Sequence, residues 1–208
     1  RLLHERFGAL CVLGAEASAL SCAYPAPLRL RHRGDDRGVA IQALRGGEWQ
    51  VQGNDGESST LQRQALANGA ASHALDYDDV SMLATRHPSA PPIAALLALL
   101  PVLRQQRADL RWGDILRAYI VGTETTLRLG QWLGFPHYAL GFHATSTLGT
   151  VGAAAACAHA LRLPLAQAHA ALSIAASSAC GLRANFGTDV KPLHVGFAAA
   201  GAVRAVML

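Results

Sequence analysis

From Arg1 to Ala19 the apolar positions Leu2, Leu3, Phe7, Leu10, Cys11 and Leu13 recur near helical spacing, which predicts a first helix ending before Pro25 and Pro27. Between Val39 and Val51 two short apolar runs flank Gly46 and Gly47, the pattern of a small hairpin or an irregular excursion, and 53–59 reads as a polar loop. Apolar positions then run through Leu66 and Ala70 toward Leu75, predicting a helix with Thr60 as its N-cap. That helix delivers Asp76, Asp78 and Asp79 at its C-terminal end, where the helix dipole disfavours acids.

Beyond Pro88 an Ala and Leu run to Leu103 predicts a helix with Pro101 as a kink point. Trp112–Leu129 predicts a second, with Asp109 or Asp114 near its start, and Thr145–Leu161 a third. Pro164 suits the first turn of a fourth reaching about Ala179. The last two are dense in Ala, Gly and Ser, residues that let backbones approach closely and lose little side-chain entropy on packing. The segment from His194 to Leu208 is apolar around most of its circumference and lacks a Gly, Asn or Pro stop signal, so it reads as a helix cut short. The sum is an all-α, multi-helix bundle.

Composition narrows the function. With 51% hydrophobic and 15% charged residues in 208, disorder is excluded and one sizeable core is available. Of the 18 cationic residues that give a net charge of +4, Lys191 is the single lysine. The charges are scattered apart from Arg29, Arg31, His32 and Arg33, so no basic stripe for nucleic acid is expected. Leu163 to Leu182 carries no formal charge, but Pro164, Gln167, His169 and its serines mark a buried helix of a soluble protein and not a membrane span. Cys11, Cys22, Cys157 and Cys180 lie far apart in apolar contexts, which predicts reduced, buried thiols in a cytoplasmic protein and no iron–sulfur cluster. The opening on Arg1, without a signal peptide, reads as a processed or cut chain.

Three segments carry candidate chemistry. Asn68 to Pro88 gathers three carboxylates with His73 and His87 just where a helix gives way to a proline-marked turn; the plainer alternative is a solvated helix end with a core histidine. His143 stands at a helix start, where the neutral imidazole is favoured and can serve as a base. Lys191 lies beside Pro192, just before Leu193 and His194 open an apolar helix, and calls for an anionic partner unless it is a surface lysine in a Gly-rich turn.

The ordered succession NGxxxHALDYDD (Asn68 to Asp79), RHPSAP (Arg86 to Pro91), YxxGFHATxxxG (Tyr138 to Gly149) and GxxxNFGTxxKPLHVGxAA (Gly181 to Ala199) resembles the MmgE/PrpD family, whose members include 2-methylcitrate dehydratase, cis-aconitate decarboxylase and iminodisuccinate epimerase. The resemblance implies that the chain, 1–208, is the helical N-terminal domain truncated at both ends, without the family's lid domain, and that it forms a homodimer. It implies active-site positions at Asp76, His87, His143 and Lys191, with His194 beside Lys191 in substrate binding, and no metal or cofactor. Val80 departs from the threonine often found after the paired acids.

Family chemistry passes through a carbanion or enolate next to a carboxylate and needs a base, an acid and a fixed cation. On that basis His143 and His87 exchange the proton, Lys191 binds a carboxylate of a small di- or tricarboxylate, and Asp76 holds a histidine tautomer or a substrate hydroxyl. Dehydration of a 2-methylcitrate-like acid, as in propionate catabolism, is the first expectation; decarboxylation of cis-aconitate and epimerisation are the alternatives. Two rivals of another kind are a zinc hydrolase using His87, His143 and Asp76, without any HExxH-type spacing, and a catalytically idle helical dimerisation fragment.

Overall fold

In a computed structural model the described residues are 56–82 and 86–208. They form six α-helices: α1 (Gly56–His73), α2 (Ala90–Gln106), α3 (Trp112–Ala139), α4 (Ala144–Ala160), α5 (Leu165–Ser178) and α6 (Val190–Met207), with a 3₁₀ turn at Arg183–Asn185. No strand occurs among the described residues, only isolated bridges pairing Ser81 with Arg86 and Phe142 with Leu182. The all-α expectation therefore holds. The expected helix from Arg1 to Ala19, the excursion between Val39 and Val51, and Cys11 and Cys22 lie outside the described residues.

The core is organised around α4, in which all but a few residues are buried. Its Ala, Gly and Thr side chains are short enough for α2, α3, α5 and α6 to pack on it from different sides. Leu96, Leu99 and Leu103 of α2, Tyr119 of α3 and Val203 of α6 supply the larger apolar volume. A backbone-to-backbone crossing joins α1 to α6 at Gly69 and Gly196. A Cβ on Gly196 would stand 2.5 Å from the Leu66 carbonyl oxygen, and one on Gly69 would stand 2.7 Å from the Gly196 Cα. Only glycine lets these two backbones meet.

Several boundaries differ from the sequence reading. Helix α1 begins at Gly56, so Thr60 lies within it and is not its N-cap. Helix α3 runs ten residues past Leu129, but Gly134 at φ 61° breaks it into two helical pieces. At its start Asp114, and not Asp109, takes the capping role: its carboxylate accepts from the Arg111 backbone N–H at 3.0 Å, and this bond with the Arg117 guanidinium holds its pKa at about 2. Pro101 sits on the exposed side of α2.

Two further expectations are corrected. Helix α5 is not buried: Ala171 and Ala175 alone are enclosed, Leu165 is 88% exposed, and the small side chains elsewhere give the helix little to insert into the core. Cys180 is exposed, whereas Cys157 is buried and its thiol is pushed up to about 12. No helix among the described residues is long and apolar enough to cross a membrane.

Candidate active site

Helix α1 ends at His73, and the next residues turn sharply, with Asp76 in the left-handed region at φ 59°. Asp is among the few residues that tolerate this conformation, and here it sends three successive acids in different directions. Asp79 turns inward and accepts from both the backbone N–H and the hydroxyl of Ser89, tying the turn to the start of α2. Burial pushes the Asp79 carboxyl above the ordinary range despite those bonds. Asp78 is buried between two imidazoles, and Asp76 remains half exposed.

The Asp78 carboxylate accepts from His73 Nδ1 at 2.9 Å to each oxygen. His87 Nδ1 lies 3.3 Å from Asp78 Oδ2, an ion-pair contact whose N–H is not lined up for a hydrogen bond. Burial alone would raise Asp78, but the two histidines outweigh it and hold its carboxyl far below the usual carboxylate range. An ionised carboxylate accepts only, so His73 Nδ1 carries a proton and donates it to Asp78.

Both Nε2 atoms face one oxygen. His73 Nε2 and His87 Nε2 are each 3.6 Å from Asp76 Oδ1, and Lys191 Nζ donates to that same atom at 2.6 Å. Burial disfavours the charged Asp76, yet the Lys191 hydrogen bond and the neighbouring cations outweigh it and its pKa is lowered. His87 shifts upward: burial opposes its charge, but the Asp78 and Asp76 carboxylates prevail over burial and over Lys191. The result is an imidazole whose carboxylate neighbours favour its charged form, beside the Lys191 side chain at the solvent-facing side of the cluster.

Behind this rim lies a neutral floor. His143, the residue just before α4, places Nδ1 2.9 Å from Nδ1 of His194 on α6. Burial, followed by the charges of His194 and His73, lowers His143 to about 3, and burial likewise lowers His194. The His143 ring stacks at 6.2 Å from that of His73 and meets the Phe186 ring edge-on at 4.8 Å. Lys191 Nζ stands 5.6 Å from the same Phe186 ring.

The structure thus brings Asp76, His87 and Lys191 into direct contact and links His143 and His194 to them through His73. It corrects three details of the sequence reading. Lys191 is in the first turn of α6, not in a loop before it. The histidine-orienting carboxylate is Asp78, since Asp76 faces Nε2 atoms that it cannot fix as tautomers. His143 is not part of the group of possible metal ligands, which among the described residues comprises His73, Asp76, Asp78 and His87. The sequence reading passed over His73 and Asp78 as site residues. Their five-residue separation, bridging a helix end and a turn, was the available signal.

Residues 28–208 match the profile of the MmgE/PrpD N-terminal domain. The chain is 38% identical over 151 residues to the cis-aconitate decarboxylases of Mus musculus and Homo sapiens, an alignment covering 69% of this chain and 29% and 30% of those proteins. The cis-aconitate decarboxylase of Aspergillus terreus is 33% identical over 137 residues, covering 65% of this chain and 28% of its own length. The chain spans about a third of the length of the curated relatives it matches.

Proposed function

Because the chain belongs to the MmgE/PrpD family, we propose that it provides the helical part of a lyase that decarboxylates a small, unsaturated tricarboxylic acid of the cis-aconitate type. The observation that carries this reading is the meeting of His87, whose carboxylate neighbours favour its charged form, of Lys191 bonded to Asp76, and of the buried His143–His194 pair in one cluster that opens to solvent at Asp76. The relatives' activity moves decarboxylation ahead of the dehydration that the family resemblance had put first.

In the proposed reaction Lys191 keeps one donor on Asp76 and offers others to a substrate carboxylate. The bond between carbon and the departing carboxylate breaks, carbon dioxide leaves, and the electron pair spreads into the adjacent double bond and retained carboxylate. Lys191 offsets the charge that develops there, an interaction stronger in the transition state than in the ground state. The His87 imidazolium then delivers a proton to carbon and is recharged from water, so one substrate and one proton give one carbon dioxide and one shorter acid. Asp78 keeps His87 protonated by its charge and fixes His73 by hydrogen bonding. His143, neutral and wedged between His73 and Phe186, is the partner base for any step that removes a proton.

A homodimer in the cytoplasm belongs to the same proposal. Its support is the row Trp112, Leu116 and Ile120 on α3, spaced one turn apart and all exposed, which is more apolar surface than a lone subunit usually presents. The test supplies purified full-length protein with cis-aconitate and, separately, 2-methylcitrate, while measuring carbon dioxide and unsaturated product. Carbon dioxide from cis-aconitate alone supports the reading, water loss from 2-methylcitrate alone replaces it with the dehydratase, and turnover of neither leaves the idle fragment. Light scattering that shows one subunit per particle overturns the dimer.

A further inference from the structure

We propose that His73, His87 and Asp76 form a site for a single zinc-type divalent cation, which binds in competition with the Lys191 ammonium and shuts the cluster off from substrate. Three ligand atoms, His73 Nε2, His87 Nε2 and Asp76 Oδ1, converge from a helix end, a loop and a turn, the imidazole nitrogens binding in their deprotonated form. Both nitrogens stand 3.6 Å from the oxygen, and the ligand atoms of the cluster lie within 4.8 Å of one another. A tetrahedral zinc ion with bonds of ~2.1 Å separates its ligands by ~3.4 Å, so the two nitrogen–oxygen edges are already within a few tenths of an ångström of that spacing.

Independent support comes from His73, whose side chain is fully buried and whose Nε2 has no hydrogen-bond partner although it points at Asp76. Leaving such an atom unpaired is costly, and a cation ligand repays it. Behind the rings stands Asp78, buried and hydrogen-bonded to the His73 Nδ1, the carboxylate–histidine arrangement that orients metal-binding imidazoles and raises their basicity. His143, a member of the zinc set that stood as a rival in the sequence, is not among the described residues whose ligand atoms gather here.

Lys191 gives the site its distinguishing sign. Its Nζ occupies Asp76 Oδ1, so metal must displace one cation with another. Removing Lys191 therefore strengthens metal binding even though it removes a polar group from the site. Nothing in this inference depends on which acid the enzyme transforms, so it stands or falls separately from the decarboxylase reading.

The test is equilibrium dialysis of full-length, metal-stripped protein against zinc chloride at neutral pH, with cobalt(II) substitution read by visible absorption. One zinc per chain at micromolar free metal and a four- or five-coordinate cobalt spectrum are expected. His87→Gln should weaken binding at least a hundredfold, Asp78→Asn ten- to a hundredfold, and Lys191→Met should tighten it about tenfold or more, whereas His143→Gln should leave it unchanged. Should His73→Gln fail to fold by circular dichroism, His87→Gln at the rim carries the comparison. The proposal is overturned by sub-stoichiometric uptake, or by uptake indifferent to both His87→Gln and Lys191→Met.

Discussion

The Nδ1 atoms of His143 and His194 lie 2.9 Å apart, and a hydrogen bond between two such nitrogens requires that one carry a proton and the other not. His194 thereby decides whether the outer nitrogen of His143 is a base or an acid. With His143 accepting, its Nε2 bears hydrogen; with His143 donating, Nε2 is bare. Replacing His194 by Leu should release the choice. Nitrogen NMR is expected to show one fixed His143 tautomer in the native protein and a mixture in the variant, with turnover down about tenfold or more, within the range attributed to a positioned acid or base.

Lys191→Met in the full-length enzyme should preserve the fold, because the alkyl stem is roughly retained. It also frees Asp76, whose carboxylate then meets two imidazoles with no ammonium between them. Turnover is expected to fall on the order of a hundredfold, by analogy with deleted oxyanion donors. His143→Gln should instead retain substrate affinity and lose rate. Steady-state kinetics on cis-aconitate distinguishes the two, and near-normal turnover in Lys191→Met would return that residue to a structural role.

Acid should destabilise the fold beginning near neutrality. His143 is held neutral down to about pH 3 in the folded chain, whereas its unfolded counterpart takes up a proton below about 6.5. Between those values the unfolded state binds the extra proton, so stability rises with pH and is lost as pH falls, at roughly 1 kcal/mol per unit from this residue alone. His194, depressed as well, acts in the same direction. Urea unfolding from pH 7 to pH 4 should show this slope, and His143→Gln should flatten it.

Gly196→Ala is expected to cost about 1–3 kcal/mol or more, because the added methyl meets backbone and not a side chain that can swing away. Thermal unfolding measures it. Gly201→Ala, further along the same helix where an added Cβ finds ordinary contact distances, is the control and should be close to neutral or stabilising.

Helix existence was readable from the chain because apolar periodicity, Pro164 and the Ala-rich runs all point the same way, and α2, α4 and α5 appear within a few residues of expectation. The boundaries of α3 were not, since Gly134 breaks the helix without ending it. The exposure of α5 also escaped, because an Ala and Ser composition suits a buried helix and a lightly packed one equally well. Within the site, residue types flagged the Asn68 to Pro88 segment, but the left-handed turn at Asp76 determines which acid meets which imidazole. Spacing alone does not contain that turn.

The contact of Gly69 with Gly196 has a mechanical consequence. Two helices touching backbone to backbone have no side chains between them to rotate or compress, so α1 and α6 move as one piece. His73 at the end of α1 and Lys191 and His194 at the start of α6 are carried by that piece, and His143 is latched to it through His194. Asp76, Asp78 and His87 sit instead on the segment between α1 and α2, secured at Asp79 to Ser89 and by the Ser81–Arg86 bridge. An approaching acid therefore meets a cation and imidazole floor carried by one backbone-to-backbone unit, to which the acidic turn is joined by the Lys191–Asp76 and His73–Asp78 bonds.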